Sequence, residues 1–530
     1  MTNGAKKIFR RASGKQTVGG AAIIISGAYL ASRLLGLLRN RLLVAHFGIG
    51  PTLDAYNAAF RLPDLLFMLL ISGAFAVSFI PVFTEYLEKD QREMAWRVTS
   101  SLLNFLVLAT IIGVIILEIS AGPLITLISP GFDPARHDMA VHLTRIMLLT
   151  PVFFAISSVL GSIQQAFQRF LFFSLAGVFY NLGIIIGIVW LTSRFGIYGV
   201  AYGVVLGVVM QAVIQLGGLV GLGYRWRPMI NLRLAGARKV LTLMIPRGLD
   251  QGIDQVNYVV ETIIGSTLAK GSITAFSLAN DLKNVPLVLI SSSIATAVFP
   301  RLAARAAAGG ERSELVNVYV GAARLILFLA IPSAVVAVIG RGYIVRLLYG
   351  FGSPITADTL GWFAGSIIFS SLFMLVSRVY FAMQDTRTPL YTSLGSIPLN
   401  MLLSFWLAHM YGVAGMAMAA SFVATVETVV LMWLLRRRFG SFGETALLRG
   451  VIPMATAGLA MAGMLYFAIS RFIPLYASDR GFSTLAPKFV VLVGLGGVIY
   501  FGLCYLLRVK EVKQISRRLV AMMSRSTELT

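Results

Sequence analysis

One cysteine, Cys504, and four histidines (His46, His137, His142 and His409) are nearly all the sequence offers for soft-metal or redox chemistry. A single cysteine rules out an intrachain disulfide and a cysteine metal site, and the scattered histidines form no ligand cluster. Charge is also scarce. Charged residues are 13% of the chain, against about 25% in soluble domains. Acidic residues number 22 and basic ones 45. No polar stretch between apolar runs exceeds roughly twenty residues, which leaves no room for a soluble catalytic domain. A glycine-rich phosphate loop with its lysine is also missing, which argues against an ATP-driven pump on this chain alone.

What fills the chain instead is hydrocarbon. Residues are 57% hydrophobic, and apolar runs long enough to span a bilayer fall near 21–47, 57–84, 98–128, 140–167, 171–193 and 197–222. After the basic break RWRPMINLRLAGARK come runs near 241–268, 272–302, 315–340, 357–383, 388–410 and 412–435, then a pair near 450–472 and 486–508. The pattern predicts an all-α polytopic membrane protein of about 14 transmembrane helices. The first apolar run follows a basic stretch without a small-residue cleavage site, so it reads as a retained helix.

The net charge of +23 raises nucleic acid as a partner, but its distribution argues for topology. Basic residues cluster in short breaks between runs, as at Lys6–Lys15, Arg225–Lys239, Arg436–Arg438 and Lys510–Arg525. With the N-terminus inside, 28 of the 45 basic residues fall on the cytoplasmic side and 8 outside. Both termini are then cytoplasmic, and the anionic lipids of that leaflet are natural contacts. No nucleic-acid partner is implied.

The chain repeats itself. AFAVSFIPVF (74–83) resembles SIATAVFPRL (293–302), and LDAYNAAFRL (53–62) resembles ITAFSLANDL (273–282). AFQ at 166–168 answers AMQ at 382–384, and FGIYG (195–199) answers YGVAG (411–415). The offsets, 216 to 220 residues, predict two six-helix lobes in pseudo-two-fold repeat with a helix pair outside it. The expected organisation is a basic N-terminus (1–20), an N-lobe (21–222), a basic linker (223–240), a C-lobe (241–437), helices thirteen and fourteen (446–508) and a basic tail (509–530).

Ionisable groups inside spans cost about 2.5–3.5 kcal/mol on insertion scales and so need a reason. Helix one has Arg33, Arg39 and Arg41; helix two opens with Arg61 and Asp64. In helix seven, Arg247, Asp250, Asp254 and Glu261 share one face at about 100° per residue, and helix eight adds Asp281 and Lys283. Two readings stand: a water-filled cavity between lobes, or interhelical ion pairs such as Arg39 with Asp254 that lock them. Recurrence of charge in the first two helices of both repeats favours the cavity. Arg61 could equally snorkel to an interface. Gly199, Gly203 and Gly207 make a small-residue stripe that reads as close helix packing, and Pro246 and Pro286 interrupt spans.

SRLLGLLRN (32–40), FG (47–48), DAYNAAFRLPDLL (54–66), GAFAVSFIPVFTEY (73–86) and QDTRTPL (384–390) together resemble the MurJ/MviN family. These are lipid II flippases of the multidrug/oligosaccharidyl-lipid/polysaccharide exporter superfamily. The resemblance runs over nearly the whole chain. It implies a transporter, not an enzyme, that takes the headgroup of lipid II into a cationic cavity while a groove by helices thirteen and fourteen holds the polyprenyl tail. Arg33 and Arg39 match the family's cavity arginines. Asn40 stands where the family usually has aspartate. Phe67, Met68 and Ser72 replace an arginine pair and a glutamate, and Asp281 replaces another cavity arginine. Arg247 or Lys283 would restore positive charge nearby. The resemblance implies no cofactor, with a sodium ion held by Glu261, Asn400 and Ser404, or the membrane potential, as candidates for coupling; serine takes the place of a usual aspartate. Rival readings are a transporter of another polyprenyl-linked glycan or of an amphipathic cation, and a non-transporting scaffold for cell-wall synthesis proteins.

Overall fold

A computed structural model describes residues 18–512 apart from 71–73, 308–311, 351, 477 and 480; the side chains of 18, 19, 21, 22, 74, 245–254, 307 and 312 are also outside the description. Among the described residues the chain is helical throughout. The long helices are α1 (Val18–Phe47), α2 (Pro51–Glu88), α3 (Arg92–Ile128), α4 (Pro134–Ala166), α5 (Phe170–Phe195), α6 (Ile197–Leu219) and α7 (Ala235–Ser266). After them run α8 (Ser272–Ala306), α9 (Ser313–Ile339), α10 (Ala364–Ala382), α11 (Arg387–Tyr411), α12 (Val413–Phe439), α13 (Glu444–Arg471) and α14 (Phe482–Leu506). Eleven of these are long and apolar enough to cross a membrane. The other three, α1, α7 and α11, are 30, 32 and 25 residues long. At about 1.5 Å per residue each exceeds a hydrocarbon core of about 30 Å. Of the three, α7 carries most of the ionisable residues singled out above.

Large apolar side chains such as Ile112, Ile116 and Ile119 on α3, or Leu459 and Val498 on the last two helices, are exposed. For a chain dissolved in lipid this is the expected arrangement, since burial against hydrocarbon and burial against protein are nearly equivalent for an alkyl group.

The chain divides into two compact units, residues 1–273 and 274–530. The sequence repeat places α7 with the second lobe, but α7 packs on α2 and α3 of the first unit. The repeat is a pattern along the sequence, whereas the division follows packing. In the first unit an aromatic ladder, Phe75, Phe79 and Phe83, stacks with ring centroids 5.1 Å apart and continues to Trp96. The glycine stripe of α6 meets α5 backbone to backbone. A Cβ on Gly207 would lie 2.4 Å from the Tyr180 carbonyl oxygen, and one on Gly203 would lie 2.6 Å from the Gly187 Cα. Only glycine permits that approach.

In the second unit α9 packs against α10 and α13, and α13 against α14. Val509 and Glu511, at the start of the basic tail, are buried there.

The repeat is written in the backbone of each unit. Gln168 and Gln384 both adopt left-handed φ, 57° and 60°, a rare conformation for a residue with a Cβ. Gly196 (φ 57°, ψ −137°) and Gly412 (φ 60°, ψ −144°) break their helices in the same way. Three residues after each, Gly199 and Gly415 sit against the carbonyl groups of Leu191 and Leu407. Pro286 runs directly into a π-helical turn, Leu287–Ser292, as expected where a missing N–H frees an upstream carbonyl.

Candidate functional site

Arg39 is the best-defined of the sequence-derived candidates. Its guanidinium forks onto Asn40, with Nε and Nη2 donating to Oδ1 at 3.1 and 3.0 Å. Nη1 donates to the Asn181 Oδ1 on α5 at 3.3 Å. The described partners are therefore neutral carbonyl oxygens, which orient the guanidinium without cancelling its charge. Asp254, the ion-pair partner suggested by sequence, has its side chain outside the described residues, as do Arg247 and Asp250. Ser72 lies outside as well. Arg33, two turns before Arg39, is exposed and lies against Tyr29: its Nε donates to the Tyr29 hydroxyl at 3.0 Å and its Cζ is 5.2 Å from the ring centroid.

Arg61 is half-buried, donates from Nε to the Thr262 Oγ1 at 2.7 Å and covers the Tyr258 ring at 5.3 Å. Both partners are on α7, so a cation on α2 meets the helix with the shared charged face. Asp64, one turn on, is half-buried.

The C-terminal end of α7 is held by further polar contacts within the same unit. The buried carboxylate of Asp54, 1% exposed, accepts from the Gly271 backbone N–H at 2.5 Å. Gly131 N–H donates to the Ser266 Oγ at 3.2 Å, and Lys270 lies 3.4 Å from the Asp133 carboxylate. Gly271 has φ +95°, a conformation that only glycine adopts readily. Asp54→Ala removes a charge-assisted acceptor and leaves a buried N–H unpartnered, at a cost of about 1–3 kcal/mol. A lower melting temperature in detergent, with Asp54→Asn intermediate, is the expected result; an unchanged melt would show the contact to be energetically idle.

The remaining candidates are spread over both units. Glu261 on α7 is half-buried. In the second unit Asp281 and Lys283 are half-buried, and the Lys283 Nζ stands 4.5 Å from the Phe363 ring centroid. Asn400 and Ser404 are buried one turn apart on α11, with the Ser404 hydroxyl donating to the Asn400 Oδ1 at 3.3 Å. Among the described residues no group of three or more His, Cys, Asp or Glu side chains could hold a metal.

Sequence reasoning overlooked three residues: Asp54, Asn181 and Arg324. Asn181 had a signal, as the one amide in the run LFFSLAGVFYNLGIII (171–186). Asp54 stood inside a string quoted for the family resemblance but was not weighed as a contact.

Comparison with known proteins agrees with this architecture. The family model described as Lipid II flippase MurJ matches residues 43–484. A "Probable lipid II flippase MurJ" of Rhizobium tropici is 27% identical over 515 residues, covering 94% of this chain and 96% of the relative. The solved structure titled "Lipid II flippase MurJ, inward closed conformation" superposes with a TM-score of 0.75 at 23% identity, over 90% of this chain and 99% of that one. An inward-facing multidrug resistance MATE family transporter of the MOP superfamily gives 0.64 at 16% identity, over 80% and 99%. The two structures establish a shared fold. With the family model covering most of its length, the chain belongs to the lipid II flippase MurJ family.

Proposed function

We propose that this chain is a lipid II flippase, moving the undecaprenyl-pyrophosphate-linked peptidoglycan precursor from the cytoplasmic to the outer leaflet of the bacterial plasma membrane by alternating access. The observation that carries the reading is Arg39, a span-borne guanidinium oriented by two neutral amides. A pyrophosphate cannot enter hydrocarbon unpaired, and a fixed guanidinium fork is the side chain best matched to its oxygens. The N–H groups that Arg39 does not give to Asn40 and Asn181 serve the phosphates. Arg33 adds a second cation two turns away, and Arg61 and Arg247 are further cations of the same unit, with Asp250 and Asp254 as acids that offset their charge. The deciding test is complementation: the chain should sustain growth of a strain depleted of its own lipid II flippase. Failure by a well-expressed protein would hand the assignment to another polyprenyl-linked glycan or to an amphipathic cation.

A hard cation wants several oxygens, usually with a carboxylate, and among the candidates for sodium coupling Asn400 and Ser404 offer neutral oxygens engaged with each other.

The topology follows from the basic asymmetry. Counting α1, α7 and α11 as crossings gives fourteen, with both termini in the cytoplasm. A reporter fused at the C-terminus is expected to be active only if it folds in the cytoplasm; activity of a periplasmic reporter there would overturn the orientation.

A further inference from the structure

We infer that Asn181 is the positioning residue for Arg39, fixing which edge of the guanidinium faces an incoming pyrophosphate. This rests on the flippase reading of Arg39 and adds a residue that the family resemblance did not assign. Asn181 is 7% exposed, in an otherwise apolar stretch of α5, where an amide is costly without partners.

Its partners fix its orientation. Nδ2 donates to the Gly177 carbonyl at 2.9 Å, to the Ser32 hydroxyl at 3.2 Å and to the Ser32 carbonyl at 3.3 Å. With its donor side committed to acceptors, the amide must turn Oδ1 the other way, towards the Arg39 Nη1. Ser32, Gly36 and Arg39 are spaced i, i+4 and i+7 and so share one face of α1. Asn181 thus spans two turns of that face, gripping Ser32 at one end and Arg39 at the other. Glycine at 177 makes room for this, since a Cβ there would lie 2.9 Å from the Ser32 Oγ. Asn40 holds the Nε edge of the same guanidinium, so the two amides fix its plane together.

A residue that acts through Arg39 should lose its effect when Arg39 loses its fork, whereas one that merely glues α5 to α1 should not. A double-mutant cycle separates these. Binding of undecaprenyl pyrophosphate is measured on the purified full chain in nanodiscs for wild type, Asn181→Ala, Arg39→Lys and the pair. Asn181→Ala is expected to weaken binding about tenfold, and less than twofold on the Arg39→Lys background. Asn181→Asp, measured in parallel against the loss of fold in the alanine variant, keeps an acceptor for Nη1 but neutralises the guanidinium. It should weaken binding at least as much as alanine. Equal factors on both backgrounds, or a folded Asn181→Asp that binds like wild type, would overturn the positioning role while leaving the flippase reading intact. A wild type that does not bind the probe overturns both.

Discussion

Arg39→Ala is expected to abolish lipid II translocation in reconstituted vesicles while protein level and melting temperature stay near wild type. The described partners of this arginine are amide oxygens of Asn40 and Asn181, which can relax onto water when the guanidinium is removed. The fold therefore loses little, whereas the substrate loses a charge-assisted, planar donor in a low-dielectric setting. Arg39→Lys keeps the charge but not the fork, and should retain part of the rate. Normal translocation by a folded Arg39→Ala protein would sink the cationic mechanism. Loss of folding in Arg39→Ala alone would instead point to an ion pair with an acid of α7, because removing one partner of a buried pair strands the other.

The largest effect on stability is expected at Glu511. Its carboxylate and the guanidinium of Arg324 form an ion pair, with Nη2 donating to Oε2 at 2.9 Å and Nε 2.7 Å from Oε1. The side chains are only 17% and 6% exposed for Arg324 and Glu511. Gly450 on α13 makes room for the pair, since a Cβ there would lie 2.6 Å from the guanidinium carbon. The pair ties the segment after α14 to the middle of α9. Glu511→Ala leaves a buried cation uncompensated, at a cost of about 3–5 kcal/mol. Replacing both partners, Arg324→Met with Glu511→Leu, removes the charges together and should restore most of the loss. Thermal unfolding in detergent reads both variants. A double variant as unstable as the single one would mean that packing, not stranded charge, sets the effect. Glu511 falls in the basic tail of the sequence, whose composition does not point to it.

The two arginines illustrate where sequence reasoning succeeds and fails. Arg39 could be singled out because charge within an apolar run is costly whatever surrounds it, and that cost is visible along one strand of text. Arg324 carries the same cost, yet its role depends on a carboxylate 187 positions away. No periodicity or spacing connects residues so far apart. Sequence leaves Arg61 open between an interface and a cavity, and only the folded chain shows its contacts with Thr262 and Tyr258 on α7.

Fold class, membrane residence and the internal duplication were legible in the sequence by itself. Each depends on local or periodic quantities: run lengths against a bilayer thickness, basic residues between runs, and strings that recur at 216 to 220 residues. The helix breaks at Gly196 and Gly412 and the left-handed turns at Gln168 and Gln384 follow from the same strings. Tertiary structure alone decided that α7 packs with the first unit, that Asp54 holds the Gly271 amide, and that Asn181 grips Ser32 and Arg39 at once. The reason is physical. Span formation depends on the transfer energy of each segment into lipid, which composition sets. Which polar groups meet inside the bundle depends on helix rotation and approach, and those are set by backbone contacts such as Gly183 against Gly207, which only the folded chain brings together.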